Sequence, residues 1–139
     1  MIATALDRLP TSPWRNLFGW RLLDARPEEG WIRVGFDGKA EFCNAAGFVQ
    51  GGILSAMLEG IMGAAVIVMS DGKFYDPTIS MMVNFMARAK TGPITGEAKV
   101  TQLGKSIAFV EGRLTADDGT LLATASTSTR LVEAAKAIR

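Results

Sequence analysis

Histidine is absent from all 139 residues. That removes imidazole as a general base, as a proton shuttle and as a metal ligand. Cysteine occurs once, at Cys43, so no intrachain disulfide can form and no Cys/His/Asp metal cluster is expected. A buried, inert thiol in a reducing compartment is the simplest use for it. Charge is scarce and balanced, with 15 basic against 14 acidic residues and a net charge of +1. No basic run tracks along the chain, which argues against a nucleic-acid partner. The opening residues MIATALDRLPTSPW lack a basic start followed by an apolar stretch, so no signal peptide is read and a cytoplasmic location is expected.

What the chain does have is apolar residues, 48% of the total. Such a fraction points to a large core or to surface covered by another chain. The length suits one domain over residues 1–139, with 1–13 as an N-terminal extension and 133–139 as a C-terminal tail. Ile53 to Ser70 forms one long apolar segment with Glu59 near its middle. A charge at a bilayer centre costs roughly 2.5 kcal/mol or more, so a buried helix is expected here rather than a membrane span. Two strands precede it, Gly19–Arg26 and Trp31–Phe36, joined across Pro27-Glu28-Glu29-Gly30. Four follow: Thr78–Ala87, Gly96–Leu103, Ser106–Ala116 and Leu121–Val132, read as a run of hairpins with turns at Gly92-Pro93, Gly104-Lys105 and Asp118-Gly119. An antiparallel sheet that buries one face needs a cover, and one helix is available. The expected class is α+β, a curved antiparallel sheet wrapped around one long central apolar helix.

Two features of that helix exceed what packing requires. Its start, Gln50-Gly51-Gly52, has no Ser, Thr, Asp or Asn immediately before it to cap the first amides. Those N–H groups lie at the positive end of the helix dipole, and the glycines allow close approach to the backbone. The arrangement can polarise a carbonyl oxygen as an oxyanion hole, or it can be a closely packed loop-to-helix joint with water on its amides. Glu59 shares its face with Ser55, Ala56, Met62 and Gly63 and has Gly60 beside it, a mostly small-sided notch. An ionised carboxylate there must be paired, protonated or set on a wet cavity. It reads as a catalytic carboxylate in a cleft, or else as a glutamate at an exposed edge or paired across an interface. Gly51 and Glu59 are eight residues apart, about 12 Å along the axis. One carbonyl cannot meet both on a single helix, so joint action requires a second, antiparallel copy and a twofold dimer with composite sites.

The ordered set Asn44-Ala45-Ala46-Gly47-Phe48-Val49-Gln50-Gly51-Gly52, then Glu59 and Gly63, resembles the signature of hotdog-fold thioesterases of the PaaI/4-hydroxybenzoyl-CoA type. The resemblance continues through Thr78–Phe85, Gly92, Gly104-Lys105-Ser106 and Asp118-Gly119, and spans roughly residues 14 to 132. It implies a hotdog fold and hydrolysis of an acyl-CoA, with CoA as part of the substrate and no separate cofactor. It also implies roles. The Gly51 amide would be the oxyanion donor, with Gly52 beside it, and Glu59 the general base or nucleophile. Asn44 would orient water or the substrate carbonyl, and Thr78 would help hold the attacking water. Gln50 stands where histidine is common in that family, and its side chain can still donate a hydrogen bond. Arg88, Lys105 and Ser106 are candidates for the phosphates or pantetheine arm of CoA, or an ordinary solvated rim. Met62 and Gly63 would border the acyl group, and Met57, Met81, Met82 and Met86 lie on or next to the elements framing its pocket. A homodimer is expected, paired into a dimer of dimers. A non-catalytic acyl-CoA binder is the alternative, because Gln50 departs from the pattern.

Overall fold

A computed structural model describes residues 2–137. A short helix α1, Pro13–Phe18, ends on Gly19 in the left-handed conformation and leads into strands β1, Arg21–Arg26, and β2, Trp31–Gly38. The long helix α2 runs Gly51–Met69, two residues earlier at its start than the apolar run suggested. Then come β3 (Phe74–Tyr75), β4 (Thr78–Phe85), β5 (Gly92–Leu103), β6 (Ile107–Ala116), β7 (Leu121–Arg130) and β8 (Val132–Glu133), with a final turn of helix α3 at Ala134–Ala137.

Six strands form one antiparallel sheet in the order β1-β2-β5-β6-β7-β4, and β3 pairs separately with β8. The sheet and α2 share a core in which ten helix residues are buried, among them Met57, Leu58, Ile61 and Val66. Alternation explains the pairing. Ile94, Gly96, Ala98 and Val100 of β5 face inward, in register with Phe36, Val34 and Ile32 of β2. Gly96 is needed where Ile61 of the helix meets the sheet, since a Cβ there would lie 2.9 Å from the Ile61 side chain. This is the hotdog architecture. Although α2 is long and apolar enough to cross a membrane, here it is the core of the fold.

The hairpins at Gly104-Lys105 and Asp118-Gly119 form as expected. The turn at Gly92-Pro93 does not join hairpin partners. β4 leaves for the far side of the sheet and pairs with β7, while β5 inserts beside β2. β4 is therefore an edge strand with no partner on its outer side among the described residues. It carries exposed Ile79, Met82 and Phe85, with Met86 following. The N-terminal segment also folds onto the domain. Ala5 and Leu6 are buried, and Trp14 makes edge-on contacts with Phe18 and Trp20 at 5.5 and 5.6 Å between ring centres.

Candidate active site

The site assembles on two stretches of α2. At its start, Gln50 occupies the cap position with an exposed side chain that makes no capping hydrogen bond. The first-turn amides are thus left without a side-chain acceptor. A Cβ on Gly52 would meet nothing within 4 Å, whereas one on Gly51 would lie 3.1 Å from the Phe85 ring. The helix start is open on the Gly52 side and rests against the end of edge strand β4 on the other.

The loop before it is organised by Asn44. Its Oδ1 accepts hydrogen bonds from the Ala46 and Phe48 amides at 3.0 and 3.2 Å. The side-chain oxygen is thus committed to shaping the loop, which leaves its NH2 group as the donor for a ligand. Phe48 also carries the Arg88 guanidinium over its ring at 5.2 Å, and the Val49 amide donates to the Ala89 carbonyl. Arg88 therefore borders the loop that delivers the helix start.

Two turns further on, Glu59 is exposed and lines a cavity of about 950 Å³. Gly60, Gly63 and Thr78 line the same cavity. The small-sided notch is real, but its upper part is filled from within the chain: a Cβ on Gly60 would run into the Trp14 indole. Trp14 and the segment that carries it thus form one wall. Met62, expected beside the acyl group, is 1% exposed and packs against Gly112 of β6, with 3.0 Å from a Cβ at that glycine to the Met62 side chain. It is a core residue under the sheet. Met57 is also fully buried, while Met82 and Met86 are exposed along and after the edge strand. Lys105 and Ser106 are exposed in the β5–β6 turn, where the Ser106 carbonyl accepts from the Leu131 amide.

One group in the cavity escaped the sequence reading. Asp76 is 6% exposed and has Oδ1 3.5 Å from where a Cβ on Gly63 would stand. Its Oδ2 is shut off from solvent and neighbours the equally buried Thr129 hydroxyl, in a geometry short of a well-formed hydrogen bond. Burial pushes its pKa up to about 8, against smaller lowering contributions from the Thr129 hydroxyl and its own backbone. In the sequence it sits in Tyr75-Asp76-Pro77-Thr78, where Asp before Pro reads as a solvated turn. The signal available was its position two residues before Thr78, which places both on one side of an extended chain. Arg15, from α1, lines the cavity too, with its guanidinium 4.4 Å from the Trp20 ring centre and its Nε buried without a partner. No group of three or more His, Cys, Asp or Glu among the described residues could hold a metal ion.

A family model described as the thioesterase superfamily matches residues 46–123, which include the helix start, Glu59, Asp76 and Thr78. The chain belongs to the thioesterase superfamily. Among solved structures, this thioesterase-family chain is similar to a phenylacetic acid degradation-related protein from Ralstonia eutropha, with a TM-score of 0.84 and 25% identity over 91% of this chain and 95% of that one. It shares its fold with a thioesterase family protein from Silicibacter pomeroyi, at a TM-score of 0.84 and 20% identity over 93% and 96% of the two chains. The fold is also that of a hypothetical thioesterase protein from Streptococcus pneumoniae determined with coenzyme A, at a TM-score of 0.75 and 17% identity over 82% and 86%. No curated protein matches the sequence.

Proposed function

We propose that the protein is a cytoplasmic acyl-CoA thioesterase acting as a homodimer, with each site shared between two copies. The observation that carries this reading is where the two halves of the site lie along the unpaired edge strand. Gly51 abuts Phe85 at the end of β4, while Glu59 shares its cavity with Thr78 at the beginning. If two copies pair antiparallel along that edge with the twofold axis at the middle of β4, residue 78 of one comes opposite residue 85 of the other. The Gly51 amide of one copy then faces Glu59 of its partner, which removes the 12 Å separation within a single helix. The exposed apolar residues of β4 give that pairing its driving force.

In the resulting site the thioester carbonyl oxygen accepts a hydrogen bond from the Gly51 N–H, at the positive helix end. Glu59 takes a proton from a water held by Thr78. The water oxygen adds to the carbonyl carbon, the C–S bond breaks, and the proton passes from Glu59 to the departing thiolate. The products are a carboxylic acid and free CoA. Attack by the Glu59 carboxylate, with water then cleaving the mixed anhydride, reaches the same products. Arg88, Lys105 and Ser106 are assigned to the phosphates and pantetheine arm. Support for CoA as the carrier comes from the S. pneumoniae protein of this fold, seen with coenzyme A.

The test is thiol release from a panel of phenylacetyl-, benzoyl- and straight-chain acyl-CoAs, with Glu59→Gln alongside. Turnover by the native protein that drops by roughly three orders of magnitude or more in the variant is the expected result. Unchanged hydrolysis by Glu59→Gln would sink the assignment. Tight CoA binding without turnover would make the protein a binder.

A further inference from the structure

Between the two halves of the site, α2 carries a hydroxyl that the hydrolytic steps do not use. Ser55 lies four residues after Gly51 and four before Glu59, so all three share one helix face at intervals of about 6 Å. It is half-buried, and its Oγ donates to the Gly51 carbonyl at 3.0 Å. That carbonyl belongs to the same peptide unit as the Gly52 N–H, on the open side of the helix start. The preceding unit, which ends in the Gly51 N–H, is loaded in the same way. Its carbonyl, that of Gln50, accepts from the Ile53 and Leu54 amides at 2.9 and 3.2 Å. A hydrogen bond received at the oxygen of a peptide strengthens its N–H as a donor.

We propose that Ser55 is the positioning residue of the oxyanion-binding turn, acting through the Gly51 carbonyl, and that it stands on the twofold axis where the two sites of the dimer meet. The inference rests on the shared site proposed above. Position 55 is midway between 51 and 59. A twofold that sets Gly51 of one copy against Glu59 of its partner therefore sets residue 55 against its own counterpart. Gly52 and Ala56, which flank Ser55 on the outer side of the helix, are small enough to let two helices approach there. Ser55 thus holds the Gly51–Gly52 peptide of each site from the one place common to both. With that peptide held, the Gly52 N–H joins the Gly51 N–H as a second donor to the developing oxyanion. Without the hydroxyl the turn stays helical, because the Ser55 amide still reaches the Gly51 carbonyl, but the Gly52 N–H is a weaker donor.

The experiment follows Ser55→Ala and Ser55→Thr through stability, kinetics and spectroscopy. Alanine is the better helix former, so Ser55→Ala should unfold in urea at the native midpoint or above it. Its kcat on the best acyl-CoA should nevertheless fall roughly threefold to tenfold with KM little changed. Ser55→Thr, whose hydroxyl can make the same bond, should restore it. Lower stability with native kcat in Ser55→Ala is the mark of a merely structural serine and would overturn the proposal. A second readout needs no turnover. An acyl-CoA analogue with a methylene in place of the thioester sulfur and an isotope-labelled carbonyl reports donor strength through its infrared stretch when bound. The stretch should lie at higher frequency in Ser55→Ala than in the native protein and return in Ser55→Thr. A silent hydrolysis assay with that dependence on Ser55 would refute the hydrolase and leave the role of Ser55 standing. Glu59-dependent hydrolysis with kcat and stretch both indifferent to Ser55 would overturn the role of Ser55 alone. The axis is read separately. Ser55→Cys, made with Cys43→Ser to remove the native thiol, should give a covalent dimer on oxidation or with a short bismaleimide. A dimer that neither treatment cross-links would remove Ser55 from the axis.

Discussion

Asp76 holds a proton in the folded protein up to a pH of about 8, while in the unfolded chain it releases it near the ordinary carboxylate value of about 3.8. Between those values the folded state binds more protons than the unfolded one. The Asp76 contribution to stability is therefore complete below about pH 4 and is lost as pH rises through about 8. Asp76→Asn removes this dependence. Urea midpoints at about pH 5 and about pH 8 should fall more steeply for the native protein than for the variant, by a difference on the order of a few kcal/mol in stability. Identical slopes would show that Asp76 is not a buried acid. The same residue marks where reading the sequence stops. Glu59 is legible because an isolated carboxylate in an apolar helix demands an explanation, and Thr78 only through the family resemblance. Asp76 carries no such mark, since Asp-Pro is ordinary turn chemistry and only the packing of β7 and α2 around it makes it unusual. Met62 erred in the other direction. Three residues after Glu59, it falls about 60° short of a full turn, on the side of the helix that faces the underside of Gly112 rather than the cavity.

At the scale of the element, α2 trades stability at its first turn for a free set of donors. A side-chain acceptor at the cap position is worth about 1 kcal/mol in ordinary helices, and Gln50 supplies none. Gln50→Asp is expected to raise stability by about that amount in urea unfolding. It should also lower thiol release at least tenfold, because the new carboxylate occupies first-turn amides and opposes a developing oxyanion. A variant that gains stability and keeps full activity would show that these amides take no part in the reaction. The uncapped start was readable from Gln50-Gly51-Gly52 alone. The placement of β4 was not. Local turn residues at Gly92-Pro93 signal that the chain bends, but they do not say which strand it bends toward. That choice belongs to the inward-facing Ile94, Ala98 and Val100, which complete the face begun by Ile32, Val34 and Phe36 of β2.

For the whole molecule, the edge strand is the test. Ile79, Met82 and Phe85 are 59%, 64% and 55% exposed on a strand whose outer backbone groups are unpaired, an arrangement that invites association. Light scattering should give twice the 14.9 kDa chain mass or a multiple of it. Met82→Glu should shift the protein toward monomer and remove activity along with the dimer. A native monomer with full activity would contradict the shared site. Complementation is a sharper check. Gly51→Pro deletes the amide hydrogen at a helix position that tolerates proline, and Glu59→Gln removes the carboxylate. Each should be inactive alone. Co-refolded in equal amounts, they should recover roughly a quarter of native activity, because half of the dimers are mixed and each mixed dimer holds one intact site. No recovery would place both groups in one subunit.

Trp14 seals the upper cavity from a piece of chain that lies outside the sheet and its helix, anchored by Phe18 and Trp20. The room available to a ligand is thus set in part by side chains that come from outside the sheet and its long helix. Descendants of this gene can resize the chamber by altering residues 10–13, which line it without joining the core, so chemistry and ligand range are free to evolve on separate parts of the polypeptide.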